Sequence, residues 1–150
     1  ANRERMVREI IAGIRARCRP DFNLGIRLSP ERFGLKLREV LDFVQSLMNE
    51  GQLDYIDMSF WDSWKEPTEE EFQGRHLMSW FNELDRGETR LGACGKIMSA
   101  EEAQACLDEG MDFVLIGRGA ILHHDYPREP CDRYSSRQCA VCQRLSNDRA

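Results

Sequence analysis

From residue 23 to residue 116, four short apolar segments alternate with stretches of helical periodicity, and few folds accommodate that order. The candidate strands are residues 23–28, 54–59, 90–94 and 112–116. Ahead of the first, Val7, Ile10, Ile11 and Ile14 recur at the spacing of a helix with one buried face, with Asn2 as its N-cap and Pro20 as its stop. Leu37, Val40, Leu41, Val44, Leu47 and Met48 mark a second helix ending at Gly51. Phe72, Leu77, Phe81 and Leu84 mark a third, stopped by Gly87. Ser99 and Glu102 have the capping-box spacing and open a fourth, which turns Ala103, Cys106 and Leu107 inward and ends at Gly110. Strands separated by helices run parallel, with right-handed crossovers. The fourth strand is an unbroken apolar run that wants cover on both faces. The pattern predicts an α/β fold with a parallel sheet.

The pattern stops near Tyr126. The last 24 residues hold five arginines and three acids, whereas the first 126 carry a net charge of −7. The tail lacks periodicity and apolar content, so it is expected to be disordered or loosely attached. Over all 150 residues the net charge is −5, which argues against a general nucleic-acid binder. No apolar run approaches the roughly 20 residues that span a bilayer, and charges interrupt residues 1–19 as they would not in a signal peptide. A soluble, cytoplasmic domain is the expectation, without membrane contact. Its six cysteines then read as thiols: Cys18, Cys94 and Cys106 as small buried hydrophobes, Cys131, Cys139 and Cys142 on the tail. One C-x-x-C pair falls short of a zinc ligand set, and His123, His124 and Asp125 read as a turn, so no metal is expected.

Function in parallel α/β folds gathers at the carboxyl ends of the strands. Gly95-Lys96 and Gly117-Arg118 end the last two strands and combine close backbone approach with positive charge, as a phosphate site requires. The alternative is that the glycines only make tight turns and the cations are solvated. Arg27 lies between Ile26 and Leu28 in an apolar strand, so its charge needs an anion. A structural salt bridge to a neighbouring strand-end acid such as Asp57 is the other way to satisfy it.

Four segments together are similar to a known family: Gly25-Ile-Arg-Leu-Ser-Pro30, Asp54-Tyr-Ile-Asp-Met-Ser59, the Gly95 turn with Ser99-Ala-Glu-Glu-Ala103, and Phe113-Val-Leu-Ile-Gly-Arg-Gly119. They resemble, in order, the C-terminal half of the old yellow enzyme family of NADH:flavin oxidoreductases. The resemblance implies a parallel (β/α) half-barrel over residues 1–127, its strands matching the fifth to eighth of a TIM (β/α)8 barrel, followed by a divergent tail at 128–150. It implies FMN as cofactor, NAD(P)H as reductant and activated C=C bonds of enones as substrates. Arg27 matches the arginine beside the flavin pyrimidine, Gly95 and Lys96 the phosphate loop after the seventh strand, Gly117 and Arg118 that after the eighth. Lys96 departs from the family, where many members carry a second glycine. Trp61 and Trp64 fall in the loop after the sixth strand, either bordering the flavin or substrate or packing the loop. The family's substrate-binding pair and proton-donating tyrosine have no counterpart here, so no catalytic residue is assigned and activity alone should be weak or nil. The alternatives are a non-catalytic flavin- or phosphate-binding half-barrel and a structural fragment without function. Two open sheet edges predict self-association or pairing with a complementary half-barrel.

Overall fold

The computed structural model describes residues 2–122. Helix α1 (Asn2–Arg15) leads into β1 (Gly25–Leu28), α2 (Leu37–Glu50), β2 (Tyr55–Trp61), a 3-10 turn (Glu70–Phe72), α3 (Leu77–Asn82), β3 (Arg90–Gly95), α4 (Ala100–Asp108), β4 (Phe113–Val114) and α5 (Arg118–Leu122). The four strands form one sheet in the order β1-β2-β3-β4, and every pairing is parallel. This is the expected half-barrel arrangement, four strands with alternating helices. The tail, its cysteines and the predicted His123–Asp125 turn lie outside the described residues.

One face of the sheet carries the core. Ile56, Met58 and Phe60 of β2, with Leu91 and Ala93 of β3, are buried beneath α2 and α3. All six predicted apolar positions of α2 are buried, and Gly51 closes it in the left-handed conformation at φ 61°. In α4 the capping box forms in both directions: Ser99 accepts from the Glu102 N–H, and the Glu102 carboxylate accepts from the Ser99 N–H.

Several elements differ from their sequence patterns. The third helix breaks in two because Gly74, at φ 97°, turns the chain between Phe72 and Leu77. Phe72 still reaches the core, where its ring meets Trp80 edge-on at 5.0 Å. On α1 the buried stripe is Val7, Ile11 and Ile14, which leaves Ile10 53% exposed. Leu107 is similarly turned outward, and Cys18 is only partly buried. β4 pairs over two residues, and the Leu115 N–H then donates to the Ala93 carbonyl. Val114 and Ile116 pack on the core, whereas Phe113 and Leu115 point to the other face. The expected cover is therefore present on one face of β4 among the described residues.

Candidate functional site

Strand alternation places Gly25 and Arg27, Tyr55, Asp57 and Ser59, Gly92 and Cys94, and Phe113 on the sheet face opposite the helices. Lower on this face, large side chains fill the space beside glycines. A Cβ on Gly25 would sit 2.2 Å from the Tyr55 ring, and one on Gly92 would sit 2.1 Å from the Phe113 ring. The two rings meet edge-on with centroids 5.8 Å apart. Above them lie the polar groups.

Arg27 and Asp57 are register partners, and the Arg27 Nε–H donates to Asp57 Oδ2. The two side chains differ sharply in exposure, 55% for Arg27 and 5% for Asp57. A buried arginine was the sequence expectation. The burial belongs to the aspartate instead, because the long guanidinium stem rises from the sheet while the short carboxylate stays at its base. Burial pushes the Asp57 carboxyl above its usual range, against the opposing pull of the Arg27 hydrogen bond. That bond in turn raises the Arg27 pKa. Asp57 Oδ1 is buried without a hydrogen-bond partner. The salt bridge foreseen as the alternative is thus present, and it leaves the rest of the guanidinium exposed.

The sequence pattern makes Cys94 a core filler, but its position on the inner face sets it within electrostatic reach of both Arg27 and Arg118. Burial pushes its thiol pKa up, and the two cations oppose that shift. Its parity with Gly92 was the signal that could have assigned it to this face. Arg118 makes no ion pair or hydrogen bond with any described residue. Beside it, a Cβ on Gly117 would meet nothing within 4 Å. The ends of β1, β3 and β4 thus bring Arg27, Cys94 and Arg118 together, with open backbone at Gly117.

The turn after β3 is occupied by its own contacts. A Cβ on Gly95 would lie 2.8 Å from the Trp61 backbone, so glycine is required by the neighbouring strand. The Gly95 carbonyl accepts from both the N–H and the hydroxyl of Ser63. Lys96 has φ 51°, a conformation that favours glycine, and its Nζ donates to Asp62 at 2.7 Å. Gly95 and Lys96 therefore brace the β2 loop. An incoming anion would compete with Asp62 for Lys96, whereas Arg118 faces no such competitor among the described residues.

Loop contacts hold this face together. The buried Glu31 carboxylate accepts from Lys65 and from the Thr68 N–H, tying the loop after β1 to the loop after β2. No sequence pattern marked Glu31, since it is one acid in a charged loop. Arg32 lies over the Trp61 ring at 4.0 Å, and Trp64 meets His76 edge-on. Both tryptophans are engaged in loop packing.

An arginine held by a buried carboxylate, a second arginine without an ion-pair partner among the described residues, and open backbone at Gly117 can together accept an anionic ligand. No protein-family model matches the chain. Over 104 residues, 67% of the chain, it is 32% identical to the probable NADH-dependent flavin oxidoreductase YqiG of Bacillus subtilis (strain 168). The chain spans 28% of that relative's length. This distant similarity supports kinship at the level of a flavin oxidoreductase family.

Proposed function

We propose that the chain is the FMN-gripping part of a flavin oxidoreductase of the old yellow enzyme type, weak or inactive by itself. The observation that carries this reading is the pair of guanidiniums, exposed Arg27 and partly buried Arg118, both within electrostatic reach of Cys94 at the strand ends. Bound FMN would supply hydride transfer from NAD(P)H to the activated C=C bond of an enone. Arg27, steadied by Asp57, would set positive charge beside the anionic pyrimidine of the reduced ring. Arg118 and the Gly117 backbone would hold the phosphate, with Gly95 and Lys96 bracing the adjoining loop and Lys96 exchanging Asp62 for phosphate as a secondary contact.

A second reading is a half-barrel that binds flavin or phosphate without catalysis. It is favoured by the fate of the described tyrosine and histidine near this face. Tyr55 packs against Gly25 low in the sheet, and His76 Nδ1 meets the Trp64 carbonyl. Neither is placed to deliver a proton at the strand ends.

Flavin titration of the purified chain separates these ideas from a purely structural role. Arg118→Ala should weaken FMN binding by about 1.5–3 kcal/mol, the range of a charge-assisted hydrogen bond. Riboflavin, lacking the phosphate, should bind the variant and the parent alike. Equal losses for both ligands, or no flavin binding by the parent, would remove the proposal.

A further inference from the structure

We infer that Asp57 is a positioning residue, which fixes the Arg27 guanidinium so that its two terminal amino groups face a bound ligand as a fork. The inference rests on the flavin reading for its ligand, and on the Arg27–Asp57 pair alone for its geometry. The two residues are register partners on adjacent strands, so the parallel ladder of β1 and β2 holds their backbones together. The short Asp57 side chain is 5% exposed, whereas the longer Arg27 side chain is 55% exposed. Asp57 Oδ2 accepts the Arg27 Nε–H, while Oδ1 has no hydrogen-bond partner among the described residues. On its other side Asp57 is paired with Gly92, which brings no side chain to bond. Burying a carboxylate is a cost, visible in the raised Asp57 pKa, and one exposed arginine offsets it only in part. Stability therefore does not account for this aspartate, whereas the orientation of Arg27 does.

A guanidinium is a rigid planar fork of donors. With Nε committed to Asp57, the two terminal amino groups are what Arg27 offers, and neither bonds a described residue. Such an end matches two acceptors side by side, as on the N–C=O edge of a flavin pyrimidine, better than it matches a point charge. An unheld arginine at this exposure would sample many rotamers and leave much of its charge to water. Asp57 also brings a negative charge of its own, which opposes an anionic ring. Its two contributions to binding the reduced flavin therefore carry opposite signs. Orientation favours the reduced form and charge disfavours it, so removing one without the other tells them apart.

Two measurements on the purified full chain test this. The first needs no flavin. The NMR signal of the Arg27 Nε–H, assigned by its loss in Arg27→Lys, should exchange with water more slowly than that of Arg17, which bonds the Gly13 carbonyl through Nη1. The protection should survive Asp57→Asn, whose carbonyl still accepts, and disappear in Asp57→Ala. The second measurement compares the affinities for oxidised and reduced FMN. Asp57→Ala should lower the preference for the reduced form about tenfold, which moves the bound potential down by about 30 mV. Asp57→Asn should keep or raise that preference. Arg27→Ala should lose at least as much as Asp57→Ala, and adding Asp57→Ala to it should cost nothing further. A rapidly exchanging Arg27 Nε–H in the parent would overturn the inference, whether or not Asp57→Ala folds. So would protection that persists in Asp57→Ala, or a raised preference for reduced FMN in both Asp57 variants, which would make Asp57 an opposing charge. A parent with a protected Arg27 Nε–H that binds no FMN would remove the flavin reading while supporting the positioning of Arg27.

Discussion

Gly92 and Gly95 stand on one strand, yet each excludes a side chain for a different reason, and the two should respond differently to substitution. At Gly95 the obstruction is backbone, the Trp61 carbonyl carbon and the Asp62 nitrogen. Gly95→Ala should therefore cost about 1–3 kcal/mol, the range for overpacking, with no single neighbouring truncation to relieve it. At Gly92 the obstruction is the Phe113 ring, so Gly92→Ala should lose stability that Phe113→Leu partly returns. Urea unfolding of the two single variants and the double variant checks this, and strict additivity of Gly92→Ala with Phe113→Leu would contradict it. These glycines are visible in the sequence only as turn formers or weak strand residues, because the Phe113 ring at Gly92 and the Trp61–Asp62 backbone at Gly95 come from other parts of the chain. Arg27 was legible as a charge needing a partner. Its exposure was not, since that depends on how far its stem extends beyond the buried Asp57.

Among the elements, α2 and α4 were legible because their signals are local: a complete apolar stripe, an αL stop at Gly51, and a reciprocal cap. Ser99→Ala should cost about 0.5–2 kcal/mol, the loss typical of an N-cap hydroxyl, read as a lowered urea midpoint; no change would mean that the cap contributes nothing net. The third helix is shorter than its hydrophobic spacing predicts, because spacing alone does not register the turn at Gly74. Junctions between elements are also invisible to periodicity, and Asp54 makes the clearest one. Its Oδ2 accepts from the Leu24 N–H at 2.6 Å and from Arg15 at 2.8 Å, joining α1 and β1 at the entrance to β2. These bonds, the Leu24 amide foremost, hold its pKa below the usual carboxylate value. A depressed folded-state pKa means that the ionised form binds the fold, so its contribution is present above the unfolded pKa of about 3.9 and is lost as pH falls through the lower folded value. Asp57 works in the opposite direction, since its raised pKa makes ionisation a cost that acidification relieves. Asp54→Asn should therefore flatten the acid limb of the stability profile below about pH 4. Thermal melts from pH 2 to pH 7 with an unchanged acid limb would contradict this assignment.

At the scale of the whole molecule, the alternation of four strands and their helices was enough to fix a parallel sheet, since strands joined by helical crossovers must run the same way. The site was legible only in part. Arg27 and Arg118 both lie within electrostatic reach of Cys94, but the inner-face position of Cys94 and the Lys96–Asp62 contact depend on neighbours distant in sequence. What this assembly contributes to chemistry follows from its groups. Arginines can bind and polarise an anionic ring or a phosphate, but they are not proton donors at neutral pH. Asp57 is committed to Arg27, and the burial that raises the Cys94 pKa keeps its thiol from being a ready nucleophile. Reduction of an enone needs its carbonyl polarised and a proton delivered opposite the hydride, which is work for positioned donors and a general acid. The chain should therefore bind FMN yet turn over an enone with NADH no faster than free FMN does. Steady turnover clearly above that control would contradict the prediction. Turnover that appears only when a half-barrel carrying a proton donor is supplied would show that Arg27 and Arg118 provide the cofactor grip of a divided site, with the acid held on the other half.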